Sequence, residues 1–344
     1  MPAITSGRVL VTGANGYIAV WIVKSLLDAG FAVRGTVRAE SKATYLRKLF
    51  QSFGDKLEVV VVPDMTKEDA FAEHVQDVDA IAHTASPFHM NAVEPDEIIG
   101  PAVAGTLSVL KAAHVHGAVV KRVIVLSSTA ALFRTTTEPV VLDESAWNEQ
   151  AIAEVKEKGR DASAVAKYRA SKTLAERAAW EWYEEKKKAG VLGWDLVVLN
   201  PPFVYGPILH ECDRPENLNQ SMRDWYRLIV EGKIDNDTLV TGGAMYVDVR
   251  DIAQAHTLAL LKPEAGDNRF IISAGPYKWQ DFASAAHRFD DKLPAGVTSY
   301  DPSKATHLLQ YDNRKAIDVL GITYRSIDEV TNDSLQDFKA RGWL

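Results

Sequence analysis

The stretch Val9-Leu10-Val11-Thr12-Gly13-Ala14-Asn15-Gly16-Tyr17-Ile18-Ala19 decides the fold. Residues 9–12 form a short β-branched apolar run, the kind that makes a strand buried on both faces. From Ile18 the pattern changes. Ile18, Ile22 and Leu26 recur at helical spacing, and Gly30 offers the helix a stop. Between strand and helix lies G-x-x-G-x-x-A. Glycine permits positive φ and lets backbone N–H groups approach a pyrophosphate, the helix N-terminus adds favourable partial charge, and Ala19 still allows tight packing. An ordinary β-α turn can carry the same glycines. In the first β-α unit of an α/β chain, the pattern predicts a dinucleotide held by Gly13, Asn15, Gly16, Tyr17 and Ile18.

Outward from this turn, further β-branched runs at 32–37, 57–62, 80–84, 123–127 and 196–199 alternate with amphipathic segments. That is the pattern of β-α units feeding a parallel sheet, and it predicts an α/β fold with a Rossmann-type doubly wound sheet. A helix is expected over about 95–116, with Pro101 early enough to kink or delay it. After Pro201 the alternation breaks down. Residues 206–238 are richer in Asn, Asp, Pro and Glu, with one helix around 222–231; a strand-like run at 245–249, a helix at 252–261 and a short run at 270–273 follow. We expect residues 1–204, with about 240–275, to form a dinucleotide-binding domain. Residues of about 205–239 and 276–344 would form a smaller, interleaved substrate lobe.

The chain has 344 residues and 39 basic against 46 acidic side chains, a formal charge of −7. An extended nucleic-acid surface is thereby disfavoured, whereas a local basic spot is not. The lone Cys212 cannot close an intramolecular disulfide and suits a reducing compartment, so a cytoplasmic protein is expected. Apolar runs are shorter than the ~20 residues of a membrane span, and no secretory leader is legible. The histidines lack metal-ligand spacing, so no metal site is expected. Both monomer and homodimer stay open.

The second strand ends Thr36-Val37-Arg38, with Lys42 four residues on and no Asp or Glu at the tip. An acidic residue there would bind a ribose 2′-hydroxyl and repel a 2′-phosphate, so the cation predicts NADPH, with Arg38 and secondarily Lys42 on the phosphate. Asp64 and Met65, past the third strand, are placed to meet the adenine.

The fifth strand runs into Ser127-Ser128, and Tyr168 and Lys172 follow at i, i+4 on one face of a predicted helix. Reduction of a carbonyl leaves an oxyanion that must receive a proton. A phenol beside an ammonium can give it, because the cation lowers a pKa that is otherwise about 10.

In this order, glycine turn, serine, tyrosine and lysine, the chain resembles the extended short-chain dehydrogenase/reductase family over nearly its whole length. Residues 84–88 (Thr-Ala-Ser-Pro-Phe), 105–107 (Gly-Thr-Leu) and 246–251 (Tyr-Val-Asp-Val-Arg-Asp) look like the group of dihydroflavonol, cinnamoyl-CoA and yeast methylglyoxal reductases, especially fungal NADPH-dependent aldehyde and ketone reductases. The resemblance implies Tyr168 as general acid, Ser128 (with Ser127 as the alternative) on the substrate carbonyl, and Lys172 on the nicotinamide ribose. It also implies that Thr84, Ala85, Ser86, Pro201, Phe203 and Val204 lie along the cofactor. Phe88, Phe133 and Phe203, with Met245, match substrate-pocket positions, though aromatics there are as readily plain core. Asp248 and Arg250 read as structural.

The function expected is NADPH-dependent reduction of small aldehydes and ketones. One alternative is a nucleotide-sugar epimerase or dehydratase with tightly held NAD, which Arg38 disfavours. Another is a non-catalytic NADP-binding redox sensor, which would have no use for Tyr168 and Lys172.

Overall fold

The computed structural model describes residues 3–86 and 91–344. Its strands are β1 (Arg8–Thr12), β2 (Ala32–Val37), β3 (Leu57–Val61), β4 (Ala80–His83), β5 (Arg122–Leu126), β6 (Val140–Leu142), β7 (Asp195–Asn200), β8 (Phe203–Tyr205), β9 (Gly243–Asp248), β10 (Asn268–Ile271), β11 (Gly275–Lys278) and β12 (Leu309–Tyr311). The helices are α1 (Tyr17–Asp28), α2 (Glu40–Leu49), α3 (Asp96–His116), α4 (Glu149–Lys158), α5 (Ala164–Lys188), α6 (Gln220–Trp225), α7 (Asn236–Thr241), α8 (Val249–Leu261), α9 (Trp279–Phe289), α10 (Arg314–Leu320) and α11 (Ile327–Ala340).

Seven parallel strands form the central sheet in the order β10-β7-β5-β4-β1-β2-β3. Strand side chains alternate between faces, and the two faces carry separate cores. Val9 and Val11 enter the one that holds Val20 and Val23 of α1 and Ile252 of α8; Leu10 enters the other, with Val109 and Leu110 of α3 and Tyr183 of α5. From β1 the chain winds outward through β2 and β3, then returns to lay β4 on the other side of β1. Strand order therefore reverses between β1 and β4, where Thr12 pairs with His83 at the carboxyl ends. A crevice at such a reversal is where open α/β sheets bind ligands.

Across the sheet's other half, Arg122 of β5 and Asp195 of β7 are register partners and form a buried ion pair, Nε to Oδ1 at 2.6 Å and Nη2 to Oδ2 at 2.8 Å. The same guanidinium donates to the carbonyls of Ala259, Lys262 and Pro263, tying the end of α8 to the strands. α3 is long and apolar enough to cross a membrane, yet Val109, Leu110 and Ala113 lie in the core it shares with α5. It also continues through Pro101 without a break. So near the N-terminus, proline forfeits only one intrahelical hydrogen bond.

Two features depart from the sequence expectation. The run around Met245 does form a strand, but β9 belongs to a separate sheet of order β11-β9-β8, and it is β10 that supplies the seventh central strand. Residues 134–167, rich in charge and without an apolar run that announces a strand, contribute β6, which pairs in parallel with β12 from near the C-terminus. Around the small sheet, Tyr205, Tyr246, Tyr277 and Phe282 pack ring edge to ring face, Tyr277 and Phe282 at 5.0 Å between centroids. That aromatic core, together with Trp225 and Phe338, fixes the 200–340 region against the sheet.

Candidate active site

A cavity of about 1850 Å³ opens over the carboxyl ends of the central strands. It is lined by Gly13, Gly16, Tyr17 and Ile18 from the glycine turn, by Ser128 and Tyr168, and by Phe133, Phe203, Val204 and Met245. These residues, far apart in the chain, meet at one cavity, whereas Asn15, Ala85, Ser86, Lys172 and Pro201 are not among those that line it. Phe88 lies outside the described residues.

The turn leaves its backbone exposed to the cavity. Gly13 has φ +65°, and a Cβ there would sit 3.2 Å from Ala85 Cα, so only glycine leaves the backbone open at this point. α1 begins after Gly16 with no side-chain cap and no acidic residue in its first turn. Its leading N–H groups are therefore available to a phosphate. The Tyr17 side chain is engaged elsewhere, its buried hydroxyl donating to Gly206 O at 3.0 Å.

The loop after β4 is anchored by Thr12, a residue the sequence reading passed over. Its Oγ1 accepts from the N–H groups of Thr84 and Ala85, both at 3.0 Å, which fills its lone pairs. Its own O–H then goes to His83 Nδ1 at 2.9 Å, assigning the Nε2–H tautomer. Burial and, after it, the Lys172 ammonium hold that imidazole at a pKa of about 3, so it is neutral.

Of the two cations beyond β2, Arg38 is exposed and has no ion pair among the described residues, whereas Lys42 Nζ lies 2.8 Å from Glu211 Oε2. Arg38 is therefore the cation available for a 2′-phosphate, and Lys42 is already partly neutralised. Asp64 is exposed, and its Oδ1 accepts from Thr66 N at 3.0 Å and Thr66 Oγ1 at 2.7 Å, which with Lys67 and Arg38 holds its carboxyl below the usual range. Met65 turns inward: a Cβ on Gly105 of α3 would lie 2.2 Å from its Cε. Its side chain thus serves the α3 contact.

The adjacent serines part company. Ser127 Oγ donates to the buried Glu176 carboxylate at 2.5 Å, while Ser128 Oγ accepts from Ala130 N at 3.1 Å and is a hydrogen-bond partner of the Tyr168 phenol. Burial raises the phenol pKa to about 12, with Ser128 pulling it the other way. The depression expected from Lys172 does not prevail here, because loss of hydration penalises the phenolate more than nearby groups favour it. Burial likewise lowers the Lys172 ammonium to about 8, against the pull of Glu176 one turn on.

Glu176 had no signal in the sequence beyond its place on the helix. It is 1 % exposed and gathers Ser127, Asn200 Nδ2 at 2.7 Å and Arg269 Nε at 2.5 Å. Asn200 Nδ2 also donates to Ser128 O at 3.1 Å, so one carboxylate sets the ends of β5, β7 and β10 around the cavity floor. Pro201 O accepts from Thr129 N at 2.9 Å, holding the 201–204 segment next to Ser128 and Thr129. Asp248 and Arg250 are structural, as expected: Asp248 caps α8 and binds the Arg250 guanidinium, which reaches Asp333 of α11.

The pocket residues divide. Both Phe203 and Met245 line the cavity, Phe203 52 % exposed and Met245 buried. Phe133 lines the cavity under a cover the sequence did not announce, the Arg169 guanidinium 3.5 Å above its ring centre. Further lining comes from Gln220, Asp224, Tyr300, His307 and Tyr311, none of them singled out by a motif in the sequence.

Residues 9–275 match the NAD dependent epimerase/dehydratase family. The chain is 34% identical to the ketoreductase azaE of Aspergillus niger, covering 95% of this chain and 96% of that protein. It is 32% identical to an NADPH-dependent methylglyoxal reductase of Saccharomyces cerevisiae, covering 95% and 96%. Among solved structures, the yeast methylglyoxal/isovaleraldehyde reductase complexed with NADPH superposes with a TM-score of 0.85 at 30% identity, over 98% of this chain and all of that one.

Proposed function

The chain belongs to the NAD dependent epimerase/dehydratase family, within the extended short-chain dehydrogenases/reductases, and from that membership we propose that it is an NADPH-dependent carbonyl reductase converting aldehydes or ketones to alcohols. The observation that carries this reading is the Ser128–Tyr168 pair in one cavity with an open glycine turn. Two lobes contribute in our reading. Residues 1–204 with about 240–275 hold the cofactor, and about 205–239 with 276–344 close over the substrate.

The residues present fit NADPH. Gly13, Gly16 and the start of α1 would take the pyrophosphate, and Arg38 the 2′-phosphate. Thr84, Ala85, Ser86, Lys172 and the 201–204 segment would flank the nicotinamide end. The chemistry this group supplies when bound is hydride for the carbonyl carbon. Ser128 holds the carbonyl oxygen by its hydroxyl, and Tyr168 gives that oxygen its proton. With a pKa near 12 the phenol stays protonated at neutral pH and can still protonate a far more basic alkoxide. Lys172 would orient the ribose while its charge lasts. Phe133, Phe203 and Met245 offer an apolar wall suited to aryl or alkyl carbonyls rather than sugars.

Arg38 weighs against tightly held NAD and hence against sugar epimerisation, and the intact Ser128, Tyr168 and Lys172 weigh against a sensor without turnover. The lone Cys212 favours a reducing, cytosolic setting. Loss of NADPH absorbance with aryl ketones, β-ketoesters, methylglyoxal and aliphatic aldehydes tests the reading. A folded, NADPH-binding protein that reduced none of them would overturn it.

A further inference from the structure

The cavity wall beside Tyr168 holds a guanidinium with no acceptor among the described residues. Arg169 follows Tyr168 on α5, is half-buried, and lines the same cavity. Phe133 covers one face of its plane at 3.5 Å, an arrangement that leaves the in-plane N–H donors open. Among the described residues, none of those donors meets a carboxylate or a carbonyl. The groups that act on it at longer range are the Tyr311 phenol and Glu154. Glu154 is already engaged, accepting from Ser163 N at 3.0 Å and lying 3.9 Å from Lys158.

The acids of the cavity are equally committed. Asp224 accepts the Gln220 amide at 2.8 Å and Asp301 pairs with Lys304 at 3.3 Å. Arg134, next to Phe133 in the chain, stands exposed at the same cavity and also has no ion pair among the described residues. Withdrawing a cation from water without a partner is costly, and the cost is recovered when an anion arrives. A guanidinium fork matches a carboxylate in two parallel hydrogen bonds.

We propose that Arg169, backed by Phe133 and with Arg134 at the mouth, is a carboxylate subsite that selects keto acids over neutral carbonyls of the same shape. The proposal rests on the carbonyl-reductase reading and narrows its substrate class. The tetrad of glycine turn, Ser128, Tyr168 and Lys172 would act on any carbonyl; Arg169 would decide which one dwells there.

The test compares 4-acetylbenzoate with methyl 4-acetylbenzoate for the wild type, Arg169→Gln and Arg169→Lys, all with NADPH. The wild type should show the higher kcat/KM on the acid. Arg169→Gln should lose about 10- to 100-fold on the acid and less than about threefold on the ester, with Arg169→Lys between. Benzoate should inhibit the wild type competitively against whichever carbonyl it reduces, and should fail to inhibit Arg169→Gln. Equal losses on acid and ester, or a wild type indifferent to benzoate, would overturn the subsite. Turnover of neutral carbonyls would leave the reductase reading standing in either case; no turnover of any carbonyl would overturn that reading itself.

Discussion

The Ser127 hydroxyl donates to the buried carboxylate of Glu176 across 2.5 Å, which turns the first of two adjacent serines away from the cavity that holds Tyr168. Ser128, one residue on, is the hydroxyl that meets the phenol. The two alanine variants should therefore fail differently. Ser128→Ala should lower kcat by about 10²- to 10³-fold at unchanged NADPH affinity, as loss of one donor to a developing oxyanion does. Ser127→Ala should keep kcat within about threefold and cost about 1–3 kcal/mol of stability, because a buried acceptor loses its donor. Steady-state kinetics and denaturant unfolding on both variants check the assignment; the reverse pattern would exchange the serines.

Cofactor choice should follow Arg38 far more than Lys42. Arg38 has no ion pair among the described residues, whereas Lys42 is held by Glu211 at 2.8 Å. Arg38→Ala should raise KM for NADPH by about 10- to 100-fold and leave NADH little changed, in line with a charge-assisted hydrogen bond. Lys42→Ala should shift NADPH by less than about threefold. Equal losses with both cofactors in Arg38→Ala would remove it from the phosphate site.

The pH dependence should come from Lys172 rather than Tyr168. Lys172 is charged below about 8 and neutral above it, while Tyr168, at about 12, keeps its proton throughout the working range. Hence kcat/KM for NADPH should be flat below pH 8 and fall as pH rises through it. Lys172→Met should be slower and lack that break. A break that persists in Lys172→Met would belong to another group.

The Arg122–Asp195 pair, closed off from water between β5 and β7, is a structural commitment that does not touch the chemistry. Arg122→Met leaves Asp195 buried without its cation and should cost about 3–5 kcal/mol. Thermal unfolding checks it; a loss under about 1 kcal/mol would mean that water reaches the carboxylate.

What the sequence revealed of this molecule follows from range. Val9 to Ala19 form strand, turn and helix from contiguous residues, so local periodicity and two glycines carry the whole reading. Tyr168 and Lys172 share a helix and were equally legible. Glu176, Thr12 and Arg169 were not, because each acts through partners distant in the chain: Arg269, Ala85 and Phe133. The strand around Met245 was visible as a strand, but which sheet it joins is set by pairing with Phe203 and Pro276, and no pattern within 245–249 records that. The β6–β12 pair joins three-residue runs separated by more than 160 positions, too short for periodicity to announce.

The central claim is that Tyr168 protonates the oxygen of a carbonyl reduced by NADPH. Its most direct test is the rate of NADPH oxidation by wild type and Tyr168→Phe with the carbonyl the wild type reduces best, alongside NADPH affinity by fluorescence. We predict a fall in kcat of about 10²- to 10⁴-fold with NADPH affinity unchanged. A Tyr168→Phe enzyme that turned over at the wild-type rate would contradict it.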